Sequence, residues 1–426
     1  MLFCKKNKFK IKGLTKEWLG YIILNIKLNI LFYIQKYGGE IMSDANVMKL
    51  YEEREKRYIQ AVSLEQPDRV PHETRFGEYW AIDYAGYPIK GSTVNPKIMG
   101  EAMEKLAQDF ATDTAPFLFS RNPLFYKSLQ SQSFNEGKTG IMQHPEVCCM
   151  KTEEYDELIA DPFKCIVNRI LPRVYEALDP ANGSSSVSLV RAMNIQNDMN
   201  TPILMEAARV SQKYGLPLTG GGLVEAPMDY IADMIRGFSA MTMDIRRQPE
   251  KVAAAAEAVM PLMDRLAAQL PAVPGKLVSM PLHMPVFMRE KDFAKLWWPS
   301  FKALVERMAA RGQYMRIYFE GDWTRYYDYL QDLPKGRILG VFEYMDHQLA
   351  KDKLGKVMCI TGGYDVSLLQ YGTKQAVIDA AKKQMDILAP GGGYIFTVSK
   401  GITYPNDGTP ENVKALYEFV EEYGKY

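Results

Sequence analysis

Ionisable side chains recur where short apolar runs end. His283 follows KLVSMPL, Glu320 and Asp322 close MRIYF, and Glu343 and Asp346 close ILGVF. Asp365 follows MCITGGY, and Lys400 follows YIFTVS. If these runs are the strands of a parallel barrel, their C-terminal ends form the mouth where barrel enzymes hold their active sites. Carboxylates gathered in one mouth raise each other's pKa and can donate protons, accept them or bind a metal. Glu320, Asp322 and Asp346 are therefore the catalytic candidates. His283, Glu320 and Glu343 form a candidate three-ligand set of mixed nitrogen and oxygen donors, which suits zinc with an open fourth position. Their spacings match no local metal motif. Asp322 and Asp346 equally suit caps for the helices that follow, and Asp365 and Lys400 suit a loop salt bridge. Tyr318, Trp323, Tyr344 and Lys400 are the candidate substrate contacts. Tyr318, Trp323, Tyr344 and the nearby Tyr326 suit either an apolar pocket or packing.

The elements that must position these groups alternate. Apolar β-prone runs are expected at 186–192, 216–222, 276–282, 315–321, 338–344, 358–364 and 394–401, and amphipathic helical stretches lie between them. Such alternation points to βα units around a parallel sheet. A first helix is expected from Asn46, and Gln66-Pro67-Asp68-Arg69-Val70-Pro71 is a turn into a short strand. Pro249-Glu250 opens a long Ala-rich helix. From Asp292 to Met308, Phe293, Leu296, Trp297, Phe301, Leu304, Val305 and Met308 fall on one helical stripe. Thr409-Pro410-Glu411 combines a cap, a first-turn proline and a first-turn acid, so the last helix starts there. No linker or charge run breaks residues 45–426. The expected fold is a single (β/α)8 TIM barrel with an irregular N-terminal extension.

The glycine runs Gly220-Gly221-Gly222, Thr361-Gly362-Gly363 and Gly391-Gly392-Gly393 lie beside strands. None forms GxGxxG followed by a helix, nor a P-loop, so they suit tight turns and close backbone approach. Neither a GxSxG elbow nor an HExxH helix occurs.

Charge and cysteine usage narrow the class. A formal net charge of +1 in 426 residues gives no basic stripe for nucleic acid. Cys4, Cys148, Cys149, Cys165 and Cys359 are odd in number and lack a CxxC pair. This argues against a disulfide framework or a thiolate zinc site and fits buried thiols in a cytoplasmic protein. Residues 1–41 differ in composition. The run LGYIILNIKLNILFYI has a basic flank, but Lys27 and two Asn residues interrupt it and no small-residue cleavage site follows. It is also short of the about 20 apolar residues a spanning helix needs, so no membrane is expected. Gly38-Gly39-Glu40 directly precedes Ile41-Met42, and its codons can read as a ribosome-binding sequence. Translation from Met42, with residues 1–41 as upstream sequence, is therefore a hypothesis. A native intact mass that includes Met1 would overturn it.

The C-terminal half carries an ordered set of motifs. Gly362-Gly363-Tyr364-Asp365, Ser367-Leu368-Leu369 and Tyr371-Gly372-Thr373 resemble the GNVDP..LL..GT segment of uroporphyrinogen decarboxylase-like proteins. Gly392-Gly393-Tyr394-Ile395 and Thr409-Pro410-Glu411-Asn412-Val413 continue the pattern in order. Upstream, Glu225-Ala226-Pro227, Arg236-Gly237-Phe238 and Pro249-Glu250-Lys251-Val252 also fit, as does the stretch from Phe287 to Pro299. The resemblance covers roughly residues 60–426 and implies the barrel. True decarboxylases of this superfamily carry an Arg-rich RQAGR-type segment near the N-terminus, whereas this chain has RVPHETRFGEYW.

The resemblance therefore favours the other branch, the corrinoid-dependent methyltransferases. Members that methylate coenzyme M have a zinc site of form HxC. Here Glu320-Gly321-Asp322 takes its place, and the later cysteine is replaced near Lys400. What remains resembles the substrate-demethylating component of O-demethylase systems. The implied reaction moves a methyl group from a small methylated substrate, with a methoxylated aromatic favoured, to the Co(I) of a corrinoid (cobalamin-type) cofactor on a partner protein. A tetrapyrrole decarboxylase is the alternative.

Overall fold

The computed structural model describes residues 44–426. The expectation for residues 1–41, and Cys4 with it, lies outside the described residues. Among them, no helix is long and apolar enough to cross a membrane.

Five parallel strands run in order: β1 (Gly220–Leu223), β2 (Leu277–Leu282), β3 (Tyr314–Asp322), β4 (Ile338–Tyr344) and β5 (Cys359–Gly362). Three further extended segments close the ring. Ile395 N–H donates to Ile360 O at 3.2 Å, Phe396 N–H to Pro71 O at 2.8 Å and Glu73 N–H to Phe396 O at 3.1 Å. Asp113 N–H donates to His72 O at 2.9 Å, Ala115 N–H to Pro217 O at 3.0 Å and Leu277 N–H to Thr219 O at 2.9 Å. Eight extended segments thus form one (β/α)8 barrel.

Strand periodicity sets which side chains face inward. On β3, Met315, Ile317 and Phe319 are fully buried against the outer helices, while Tyr314, Arg316, Tyr318 and Glu320 point into the barrel. The first helix, α1 (Ala45–Val62), closes the lower end and inserts Tyr58. The Tyr58 hydroxyl donates to Glu73 Oε2 at 3.1 Å, and Arg316 reaches the same carboxylate oxygen at 2.7 Å. A charge this deep is tolerated because it is paired.

One expected strand is a helix. Residues 186–192 lie inside α2 (Ser185–Tyr214). An apolar run this short does not separate strand from helix by periodicity alone. The decisive pattern comes later, where Met199, Ile203, Ala207 and Val210 are buried at helical spacing while Val187 and Val190 stay exposed. The unexpected barrel segment is 112–115. It is polar, and its buried Asp113 takes Arg57 Nη1 at 2.8 Å and Arg69 Nη2 at 2.7 Å, so no apolar run announced it.

The other elements follow the sequence. The Ala-rich helix is α3 (Pro249–Ala267). The aromatic stripe runs through a π-turn, Phe293–Trp297, into α4 (Trp298–Ala310), with all seven of its named residues buried. After α5 (His347–Leu354) and α6 (Lys374–Leu388), Thr409 Oγ1 caps α7 (Pro410–Tyr423) by accepting from Asn412 N–H. Gly362 has φ +84°, and a Cβ there would collide with Phe342 O, so the β5 exit requires glycine. Of the four described cysteines all are free; Cys149, Cys165 and Cys359 are buried as expected, but Cys148 is exposed.

Candidate active site

At the end of β1 the chain enters a short helical segment, 227–236, through Glu225-Ala226-Pro227. Asp229 and Asp233 lie four residues apart on this segment, and Glu225, just before it, is close enough to feel both charges. Sequence reasoning missed this row, for which the spacing EAPMDYIAD is the available signal. Asp229 is fully buried and saturated with donors. Its Oδ1 accepts from His283 N–H at 2.6 Å and Met284 N–H at 2.9 Å, and its Oδ2 from Trp297 Nε1 at 2.5 Å. Burial and then the charge of Asp233 still raise it to about 6. The π-turn is what carries Trp297 to this carboxylate.

Asp229 thus anchors the backbone at the end of β2, and Asp233 orients the His283 ring. His283 Nδ1 lies 2.7 Å from Asp233 Oδ2, and its Nε2 lies 3.2 Å from Glu320 Oε1. Burial opposes a charged imidazole. The hydrogen bonds and charges of Asp233 and Glu320 outweigh it and raise His283 to about 11. His283 is therefore an imidazolium at neutral pH, held in a chain Asp233–His283–Glu320.

Glu225 has no such partner. It is 8% exposed, and its Oε2 makes no hydrogen bond among the described residues. Burial, followed by the charges of Asp233 and Asp229, raises it to about 8. Its carboxyl group therefore holds its proton well above the usual glutamate range.

A cavity of about 270 Å³ opens beside Glu320 and is lined by Arg75, Tyr318, Glu320, Val341, Glu343 and Lys400 among others. The β3–β4 ladder shifts register between Phe319 and Asp322, and Gly321 takes φ +74°. This turns Gly321 N–H onto Glu343 Oε2 at 2.8 Å, while Lys400 Nζ lies 2.7 Å from Glu343 Oε1. Burial would raise Glu343, but Lys400 and the Gly321 N–H prevail and hold it below its usual value.

The expected site residues therefore divide. Glu320, Tyr318, Glu343 and Lys400 meet at one cavity, with His283 directly behind Glu320. Asp346 caps α5 by accepting from Leu349 N–H at 3.0 Å. Asp322 accepts from Thr324 N–H at 2.9 Å and borders a separate surface depression with Val286 and Arg325. Trp323 is fully buried, packed on Phe319 and Trp297, and its Nε1 donates to Glu320 O at 3.0 Å. Tyr344 is exposed and does not line the cavity, and Tyr326 is buried with its hydroxyl on Pro285 O and Met288 O. Lys400 makes the expected salt bridge, whereas Asp365 accepts from Ser367 N–H at 2.9 Å.

The set His283, Glu320 and Glu343 does not fit a zinc ion in this arrangement. Both ring nitrogens of His283 face carboxylates, and both oxygens of Glu343 are taken. Among the described residues, no three His, Cys, Asp or Glu side chains are grouped to hold a metal.

Comparison with known proteins places this barrel. In structure the chain is similar to a methyltransferase from Methanosarcina mazei, at 14% sequence identity and a TM-score of 0.60, over 87% of this chain and 98% of that one. At that identity the likeness bears on fold alone. No curated protein matches the sequence. Residues 178–423 match the model of the uroporphyrinogen decarboxylase (URO-D) family. Since that match spans more than half of the chain, the protein belongs to the uroporphyrinogen decarboxylase family.

Proposed function

We propose that the protein is a methyltransferase that takes a methyl group from a small methylated substrate, favourably a methoxylated aromatic, and passes it to the Co(I) of a corrinoid carried by another protein. The observation that carries this reading is the Asp233–His283–Glu320 chain at the cavity edge. An ether oxygen leaves poorly unless a proton reaches it. His283 is charged, is oriented by Asp233, and sits one hydrogen bond from Glu320 at the cavity. Attack on the methyl carbon by the electron pair of Co(I) breaks the carbon–oxygen bond. The bonding pair stays on oxygen, and a proton passes to that oxygen from His283 through Glu320. Loss of one proton leaves the imidazole neutral until solvent restores it. Tyr318 and Val341 supply the wall against which an aromatic ring packs.

Two features favour this over tetrapyrrole decarboxylation. A cavity of about 270 Å³ lies just below the roughly 300–1,000 Å³ of ligand pockets, so a tetrapyrrole would sit largely outside it. The Arg-rich segment of the decarboxylases is also replaced by RVPHETRFGEYW. That the Methanosarcina mazei protein of similar fold is a methyltransferase is in keeping with this reading.

The test mixes the protein with a Co(I) corrinoid protein and a panel of methoxylated aromatics and methylated amines. Appearance of the methyl-Co(III) spectrum is the expected result. Turnover of uroporphyrinogen with no methyl-cobalt from any donor would replace this reading with the decarboxylase.

A further inference from the structure

The proton path from His283 to Glu320 leaves one buried acid of this mouth unused, Glu225. Strand register places it on the inner face of the barrel. Leu223 pairs with Ser279 across β1 and β2, and Val224 N–H donates to Ser279 O at 3.0 Å. Val224 packs into the outer core, so Leu223 and Glu225 turn inward with the alternation of the strand. Leu223 is exposed there, which leaves open space in front of β1. Two residues beyond Ser279 is Pro281, which pairs with Tyr318, and Tyr318 pairs with Val341. Glu225 therefore shares one layer with the two residues that wall the cavity. Neighbouring strands are about 4.8 Å apart, so two spacings put roughly 10 Å between the Glu225 and Tyr318 backbones. A benzene ring with an oxygen at each end spans the space between their side chains. Glu225 Oε2 has no hydrogen bond among the described residues, and a buried polar group in that state is destabilising until a partner arrives.

We propose that Glu225 donates a hydrogen bond to an uncharged oxygen of the methyl donor, and so selects neutral aromatic ethers that carry a second oxygen opposite the one that loses its methyl. The inference rests on the reading that this mouth is the donor site. The ring lies against Tyr318 and Val341, with the reacting oxygen toward Glu320 and the second oxygen toward Glu225. The charged and titratable groups that face Glu225 are Asp233, Asp229, His283, Arg121 and Tyr230. The two aspartates outweigh the cations, so an anionic oxygen is disfavoured there. Burial and those charges keep the proton on Glu225 up to about pH 8, which makes it a donor. Once ionised it can only accept, and an ether oxygen, which has no proton to give, loses its partner.

Titration calorimetry on the full chain tests this with 1,4-dimethoxybenzene and 4-ethylanisole, which has nearly the same shape and lacks the second oxygen. One hydrogen bond predicts roughly 3- to 10-fold tighter binding of the diether at pH 7. Neither ligand titrates, and Asp229 at about 6 and His283 at about 11 fall outside the range from pH 7 to 9. The preference is therefore expected to fade across that range as Glu225 ionises. Glu225→Leu should abolish it at every pH. Glu225→Gln should keep it and remove its pH dependence, because an amide N–H donates throughout. Circular dichroism shows whether each variant is folded, and the wild-type pH dependence stands as a measurement without them. Equal binding of the two ligands at pH 7, no binding of either, a preference undiminished at pH 9, or one that survives Glu225→Leu in a folded protein each overturns the assignment. The methyl-cobalt assay separates the two claims. A Glu225-dependent preference without methyl transfer upholds the contact and sinks the methyltransferase. Methyl transfer from both ligands at equal affinity does the reverse.

Discussion

His283 and Asp233 lie 50 residues apart in sequence and 2.7 Å apart in space, with His283 Nδ1 facing Asp233 Oδ2. One turn earlier on the same helical segment, Asp229 accepts the His283 backbone N–H. One short helix therefore fixes both the main chain and the ring of the histidine that reaches Glu320. Orientation of a histidine by a buried carboxylate is a recurrent way to hold a proton donor in register.

Replacing His283 by Gln keeps the volume and removes the proton. Loss of a positioned acid is expected to lower kcat for methyl transfer by roughly 10²- to 10⁴-fold, with a smaller change in KM. Asp233→Asn should give a smaller loss in the same direction. Unchanged single-turnover rates of methyl-cobalt formation in His283→Gln would remove His283 from the mechanism.

The same pairing has a pH consequence. The folded value of His283 is raised, so its ion-pair contribution to stability is fully present below about pH 6.5, the ordinary histidine value, and fades as pH climbs toward about 11. His283→Gln should therefore differ most from the parent in thermal midpoint at acid and neutral pH and least in strong alkali. A gap that widened above pH 9 would contradict the charged assignment.

Glu225 works in the opposite sense. Its folded value of about 8 lies above that of an unfolded glutamate, so the folded state holds the extra proton between about pH 4.5 and 8. Stability then falls as pH rises through that window and stays reduced above it. Glu225→Gln cannot ionise, and at pH 9 it should be more stable than the parent by about 5 kcal/mol, with little difference at pH 4.5. Urea midpoints at the two pH values check this, and a constant offset between them would refute it.

Asp346 and Trp323 are expected to report on stability. Asp346→Ala removes the α5 cap and should cost about 1 kcal/mol while methyl transfer per folded molecule is retained. Trp323→Ala empties a fully buried site and should cost about 3–5 kcal/mol. A large kcat loss in folded Asp346→Ala would return that residue to the catalytic set.

Trp297→Phe tests the deeper layer. It leaves Asp229 Oδ2 without its 2.5 Å donor in a fully buried position, at a cost of about 1–3 kcal/mol. Because Asp229 holds the His283 backbone, the variant should also lose methyl-transfer rate beyond its loss of stability. A rate equal to the parent at a temperature where both are folded would show that His283 is positioned without Asp229.

Much of the architecture was open to sequence reading because it is local. Short apolar β-prone runs mark β2, β3 and β4, the stripe from Phe293 to Met308 marks a buried helix face, and Thr409-Pro410 marks the start of α7. Each signal lies within one element and follows from strand or helix geometry. Glu320, Glu343, Tyr318 and Lys400 were accessible for the same reason, since the barrel turns the ends of its strands toward one mouth. Segment 112–115 was not, because its burial is secured by the charges around Asp113 and leaves no apolar pattern. Residues 186–192 misled because the remainder of a 30-residue helix decides their state. The chemistry of the site was the least local feature of all. Nothing in the sequence alone pairs His283 with Asp233, leaves Glu225 without a partner among the described residues, or decides between the cap and the catalytic reading of Asp346. Those outcomes depend on which groups meet across the closed barrel, and on charges whose strength is set by burial rather than by residue type.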